Sequence, residues 1–195
     1  MEIVSTDVEG RLAVRLRALR AQNDLTLEAL ADRSGVSRSM ISLIERGESS
    51  PTASLLDRLA AGLGVTLASL FADAARQDAA PLARRAEQRV WRDPATGYVR
   101  RNLSPSGFAS PIDLVEVTLP AGAEVAYDTP FRAAPVDQQI FVLDGVIELR
   151  VGESVHRLAA GDCLAMRIET FTAFRNPGEN PARYIDALAA GNCAR

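Results

Sequence analysis

The stretch Gly35 to Gly47, GVSRSMISLIERG, constrains the fold more than any other part of the chain. Ser37 is a helix N-cap, Ile41 and Ile44 share a face, and Gly47 supplies a stop, so the spacing predicts a helix of roughly two and a half turns. A helix this short is not stable alone and must dock on something. The preceding run, Thr26 to Ser34, predicts the partner: Thr26 caps a second short helix with Leu27, Leu30 and Ala31 at apolar spacing. Upstream, residues 10–22 place Leu12, Leu16 and Leu19 near one face and Arg11, Arg15 and Arg17 near the other, an amphipathic helix ended by Asn23-Asp24. Downstream, Glu48-Ser49-Ser50-Pro51 reads as a loop. Thr52 then caps a helix carrying Leu55, Leu56, Leu59 and Leu63, Gly64 stops it, and Thr66 to Phe71 makes a last short helix. The expectation is a five-helix, all-α domain with one leucine core over residues 1–72.

Two short helices joined by a glycine-containing turn, the second with small polar and cationic residues on its outer face, are the parts of a helix-turn-helix. That pattern points to sequence-specific binding of duplex DNA. The net charge of −3 argues weakly against a nucleic-acid partner, but the charge is unevenly spread. Residues 76–101 carry 7 Arg against 3 acids, while residues 102–195 carry 7 against 12. All 22 cations are Arg, for which a GC-rich genome is a simpler explanation than selection for bidentate phosphate contacts. A DNA-reading face must therefore come from where individual arginines point. No apolar run approaches the roughly 20 residues of a membrane span. The start, Met1-Glu2-Ile3-Val4, lacks the pattern of a secretory leader. Cys163 and Cys193 are too few for a disulfide framework and too isolated for a zinc site. A reducing cytoplasm without membrane attachment is the expected setting.

Residues 73–88 are rich in Ala, Arg and polar residues with one proline and read as a linker. Arg84-Arg85 within it is either an accessory phosphate contact or a solvated charge pair. From residue 89 to 195 the texture changes to alternating or β-branched runs separated by Gly, Pro, Asn and Asp. Candidate strands are Arg89–Arg92, Tyr98–Leu103, Ile112–Leu119, Gln138–Leu143, Ile147–Val151, Val155–Leu158, Cys163–Arg167, Thr172–Arg175 and Arg183–Ala187. So many short strands at regular spacing predict an all-β sandwich or barrel, hence an α+β multidomain chain.

The run LTLEALADRSGVSRSMISLIERGESSPTASLLDRLAAGLGV resembles the XRE-type, phage-repressor-like helix-turn-helix family. The likeness extends over residues 10–71. It implies that Arg38 and Ser39 face base edges, with Ser42 and Leu43 further along the groove, and that Thr26, Ser37 and Arg46 contact phosphates. Arg38 has the chemistry for a bidentate contact to guanine. Thr26 and Ser37 are also caps whether or not DNA is present, and Leu43 either touches a thymine methyl or packs. The same resemblance pairs Arg20 with Glu45 as scaffold. Further along, LPAGAEV, QQIFVLDGVIELRVGESVHRLAAGDCLAM and FTAFRNPGENPARYI resemble a cupin jelly-roll barrel.

Many cupins hold a metal through His and Glu side chains at set positions. Gln138 stands where the carboxylate is expected, Thr172 where the last His is expected, and Phe131 to Pro135 where the His pair is expected. His156 lies away from all of them and reads as an ordinary strand residue. No metal, no cofactor and no catalytic residue is therefore expected. What remains is an interior pocket, with Gln138 and Thr172 as polar groups and Tyr127, Phe131, Cys163, Met166 and Phe174 as walls, taking a small-molecule effector; a filled core is the alternative. Taken together, the resemblances imply a transcriptional regulator, a repressor by preference, that binds a pseudo-palindromic operator as a homodimer. Two other readings stay open: a cupin enzyme with an accessory helix-turn-helix, and a constitutive DNA-binding protein with a structural barrel.

Overall fold

The computed structural model describes residues 4–74, 78–128 and 135–190. It opens with four α-helices: α1 (Val4–Gln22), α2 (Leu27–Ser34), α3 (Arg38–Glu45) and α4 (Ala53–Leu63). The expected fifth helix is only a 3₁₀ turn at Ala68–Leu70. Gly64, with φ of 73°, ends α4 just before it, and the next residues turn to meet the β-rich half instead of extending. Caps fall where the sequence puts them. Thr26, Ser37 and Thr52 accept from the backbone N–H of Ala29, Met40 and Leu55 at 3.0, 3.3 and 3.4 Å.

Leu12, Leu16, Leu30, Ile41, Ile44, Leu56 and Leu59 are fully buried and hold the helices together. Gly35, between α2 and α3, has φ of 63°, a left-handed conformation that disfavours side chains. It also sits under Arg58 of α4, whose guanidinium donates to the carbonyls of Ser34 and Gly35, the orphan acceptors at the end of α2. A Cβ at Gly35 would meet that guanidinium at 2.8 Å.

Among the described residues ten strands follow: β1 (Val90–Arg92), β2 (Val99–Asn102), β3 (Ile112–Leu119), β4 (Glu124–Tyr127), β5 (Val136–Asp144), β6 (Val146–Val151), β7 (Ser154–Ala159), β8 (Cys163–Arg167), β9 (Thr172–Arg175) and β10 (Ala182–Ala190). They form two antiparallel sheets, ordered β1-β2-β3-β10-β5-β8 and β4-β9-β6-β7. β5 shows how alternation builds the layers: Val136, Gln138, Ile140 and Val142 point in, and the residues between them point out. β4 was not expected. Its four residues carry little β-branched character, and its partner β9 arrives about fifty residues later, Glu124 facing Arg175. Among the described residues no helix is long and apolar enough to cross a membrane.

The helical and β-rich parts share one continuous cluster of buried apolar residues, running from Val8 to Leu188. Phe71 packs on Trp91 at 5.3 Å, and Trp91 meets Tyr98 edge-on at 6.2 Å. Polar pins flank this contact. Asp93, buried in the turn after β1, accepts from the N–H of Ala53 at the first turn of α4 (2.8 Å). Thr66 donates to Asp113 of β3 (2.7 Å), and Arg89 donates to the Phe71 carbonyl (2.8 Å) and Asp73 (2.7 Å). The turn after β1 is thus bonded to the start of α4, the helix whose Arg58 holds the α2–α3 turn.

Candidate functional site

Two regions carry chemistry. The first is the outer side of α3. Ile41 and Ile44 are buried against the bundle, which turns Arg38 and Ser39 to solvent and leaves Ser42 and Leu43 half-buried along the same edge. The Arg38 side chain is 68% exposed and pairs at 3.9 Å with Glu28 of α2, itself 72% exposed, a solvent-screened pair that leaves the guanidinium accessible to a partner. Ser37 and Ser39 share a hydroxyl contact at 3.2 Å. The Thr26 and Ser37 caps place the starts of α2 and α3 on the exposed side, and helix starts attract anions.

At the other end of α3, Arg20 grips Glu45 with Nε on Oε1 (2.7 Å) and Nη2 on Oε2 (2.8 Å), and Arg17 donates to the Glu45 carbonyl (2.8 Å). The hydrogen bond to Glu45 raises the Arg20 pKa against the opposing effect of burial. This pair is scaffold. Arg46 donates to Ser42 Oγ (2.6 Å) and holds Glu48 through the same Nε and Nη2 edge at 2.9 and 2.7 Å. A phosphate would have to compete with Glu48 for it.

The second region is a cavity of about 30 Å³ where the barrel's mouth meets α4. That is room for about two waters or for the head of a ligand. Tyr127, Gln138, Thr172 and Phe174 line it, as the sequence leads one to expect. Met166, opposite Gln138 in the β5–β8 register, packs half-buried on the core without lining the cavity. Cys163 is a correction: it is exposed, opposite Phe141 on the outer face of the larger sheet. The physical reason is the pleat, since residues 163 and 166 of one strand cannot both point inward. Phe131 lies outside the described residues.

The structure adds groups that sequence reasoning missed: Arg100 of β2, Asp186 and Tyr184 of β10, and Asp57 of α4. Arg100 is 3% exposed. Its Nη1 donates to Tyr98 Oη (2.9 Å), which also accepts from Tyr127 Oη (3.2 Å). Asp186 stands 3.9 Å from Nη1, too far for a hydrogen bond, and accepts instead from Gln138 Nε2 at 2.7 Å. Burial pushes the Asp186 carboxyl above the usual carboxylate range, opposed by the Arg100 guanidinium and the Gln138 amide. Arginine within a strand whose neighbours Tyr98 and Val99 are apolar was the only available signal, and alternation alone did not tell that it faced in.

His156 lies in β7 opposite Leu149 and is exposed. Among the described residues no three His, Cys, Asp or Glu side chains are grouped to hold a metal ion.

Comparison with known proteins agrees with both halves. A helix-turn-helix family model matches residues 16–70 and a cupin-domain model matches residues 115–188. The HTH-type transcriptional regulator SutR of Escherichia coli K12 is 27% identical over 173 residues, covering 89% of this chain and 91% of its own. Control protein C.MunI from a Mycoplasma species is 35% identical over 68 residues, 34% of this chain and 92% of its own. The crystal structure of an HTH_3-family transcriptional regulator from Vibrio cholerae superposes with a TM-score of 0.77 at 26% identity, covering 96% of this chain and 99% of that one. With a helix-turn-helix model over residues 16–70, a cupin model over residues 115–188 and these relatives, the chain belongs to the XRE-type helix-turn-helix family of DNA-binding transcriptional regulators, with a cupin domain at its C-terminal side.

Proposed function

We propose that this regulator is a cytoplasmic, effector-responsive repressor that reads a pseudo-palindromic operator as a homodimer. The observation that carries the reading is α3 itself: Arg38 and Ser39 are exposed on its outer side while Ile41 and Ile44 fix it to the bundle. In this reading Arg38 and Ser39 meet base edges, Ser42 and Leu43 lie further along the groove, and Thr26, Ser37 and Arg46 take phosphates, Arg46 by exchanging Glu48 for one. Arg38→Ala is expected to weaken discrimination at one base pair by about 1–3 kcal/mol, roughly five- to 150-fold, while thermal stability stays within about 0.5 kcal/mol of wild type. Competition binding to operator variants and a thermal melt check both halves; a variant that melts well below wild type makes Arg38 a structural residue.

One short helix covers only a few base pairs, so a two-fold dimer presenting two of them is the expected reader. Support for a barrel-mediated dimer comes from the outer face of the larger sheet, where Ile112 and Leu114 of β3 and Phe141 and Leu143 of β5 are 39–49% exposed on either side of β10. Phe141→Glu is expected to convert dimer to monomer in sedimentation equilibrium and, through lost avidity, to weaken operator binding. Retention of the dimer would move the interface elsewhere.

The barrel is proposed as a sensor and not a metalloenzyme. Gln138, at the position of the cupin carboxylate, is committed to Asp186, and Thr172 offers no imidazole. An effector entering at the cavity shifts operator affinity only if it favours one arrangement of barrel and helices over another. The contact of Asp93 with α4 provides the link.

A further inference from the structure

Two arginines of the chain show one way in which a guanidinium takes a carboxylate here. Arg20 on Glu45 and Arg46 on Glu48 both use the Nε–Nη2 edge, one nitrogen to each oxygen, at 2.7–2.9 Å. Arg100 presents the same edge deep in the protein. Its Nε and Nη2 are buried and have no hydrogen-bond partner among the described residues, while Nη1 is committed to Tyr98. Unsatisfied donors on a buried cation are costly, and such groups in a native fold ask for an acceptor.

The cavity that Arg100 lines supplies further polar groups in Thr172, Gln138 and Tyr127, and apolar wall in Leu67, Val136, Ile168, Phe174 and Leu188. We infer that this is the binding site of a small carboxylate ligand, whose two oxygens seat on the Arg100 Nε–Nη2 edge and whose apolar body lies against the cavity wall. The inference rests on the sensor reading above and gives its effector a chemical class.

Charge also ties the site to the DNA-reading half. Asp57 of α4 and Asp186 of β10 line the same cavity as Arg100, with Asp186 3.9 Å from its Nη1, so two carboxyl groups already border the site. The charge on Asp57 acts on Asp186, which places both within electrostatic reach. A third carboxylate, arriving on Arg100, is repelled by Asp57, and the repulsion is relieved when α4 moves off the barrel's mouth. The present volume of about 30 Å³ accepts only the head of such a ligand, so seating its body requires the same movement. Binding therefore favours the displaced arrangement of α4, which is the differential affinity that regulation needs.

The test uses the full chain and its single tryptophan, Trp91, which packs on Phe71 at the junction between the two halves. Potassium butyrate, succinate and benzoate are each titrated against potassium chloride at constant ionic strength, following Trp91 fluorescence and the melting temperature, with potassium sulfate and butylamine hydrochloride as separate arms. At least one carboxylate is expected to give a saturable fluorescence change and a higher melting temperature, with sulfate and butylamine giving neither. Arg100→Gln should weaken that carboxylate at least about tenfold, and so should Arg100→Lys, which keeps the charge but loses the fork. Asp57→Asn should bind it more tightly than wild type, which keeps the proposal testable if the Arg100 variants do not fold. No saturable carboxylate response, a response to sulfate in its place, unweakened binding by a folded Arg100→Gln, or Asp57→Asn binding no tighter overturns the assignment. If operator binding responds to the amine while no carboxylate acts, the sensor reading stands and only this inference falls. If the chain binds a carboxylate but no operator, the reverse holds.

Discussion

Arg20→Leu is expected to destabilise the protein by about 3–5 kcal/mol, read as a drop in the midpoint of chemical denaturation at unchanged slope. Glu45 is 5% exposed, and both of its oxygens are held by Arg20, whose Nη1 also donates to the Leu25 carbonyl ahead of α2. Leucine fills the space but leaves a buried carboxylate with only the distant guanidinium of Arg17, 3.9 Å away and largely exposed. Uncompensated buried charge is among the few single-residue changes that cost this much. The consequence reaches function, because Glu45 is the last residue of α3 and sets where the helix ends relative to α1. A cost below about 1 kcal/mol would show that Glu45 finds water or another partner, and that α3 is held by its isoleucines alone.

The second result concerns the joint. Asp93→Ala should cost about 2–4 kcal/mol, since it removes three hydrogen bonds to one buried carboxylate: from the N–H of Ala53, and from the N–H and hydroxyl of Thr96. It also leaves the Ala53 N–H buried without an acceptor beside a fully buried residue. Loss of the bond to Ala53 frees the start of α4, while loss of those to Thr96 loosens the turn that carries β1 into β2. The wild-type protein, with one continuous core, should unfold with coincident far-ultraviolet circular dichroism and Trp91 fluorescence transitions. In Asp93→Ala the Trp91 transition should come first, because the junction opens before the helices and sheets melt. Coincident transitions at wild-type stability would mean that apolar contacts, Phe71 on Trp91 above all, hold the halves together without the carboxylate.

Local chemistry made the helical half legible. Caps, glycine stops and apolar spacing are signals within a few residues, so Thr26, Ser37, Thr52, Gly35 and Gly64 fell where expected, and the Arg20–Glu45 pair came from the family resemblance. Strands with β-branched alternation were equally readable: β3, β8 and β9 have the expected ends. What failed depended on partners distant in sequence. β4 exists because β9 pairs with it, and the last helix shrinks to a 3₁₀ turn because its residues serve the joint. The barrel's polar interior was half visible. Gln138 and Thr172 were found through the cupin pattern, whereas Arg100, Asp186 and Asp57 come from three elements that only the fold brings together. Cys163 was misplaced by reading composition where the pleat decides.

The proposed function requires that the outer side of α3 reads DNA sequence. Selection of duplexes from a random pool by the full-length protein, repeated with Arg38→Ala, examines that directly. The expected product is a pseudo-palindrome with half-sites about one helical turn apart, bound about a thousandfold or more tighter than random duplex, with preference lost at one symmetric pair of positions in the variant. Duplexes that show no enrichment even at low salt, or an enriched site that Arg38→Ala reads identically, would contradict it.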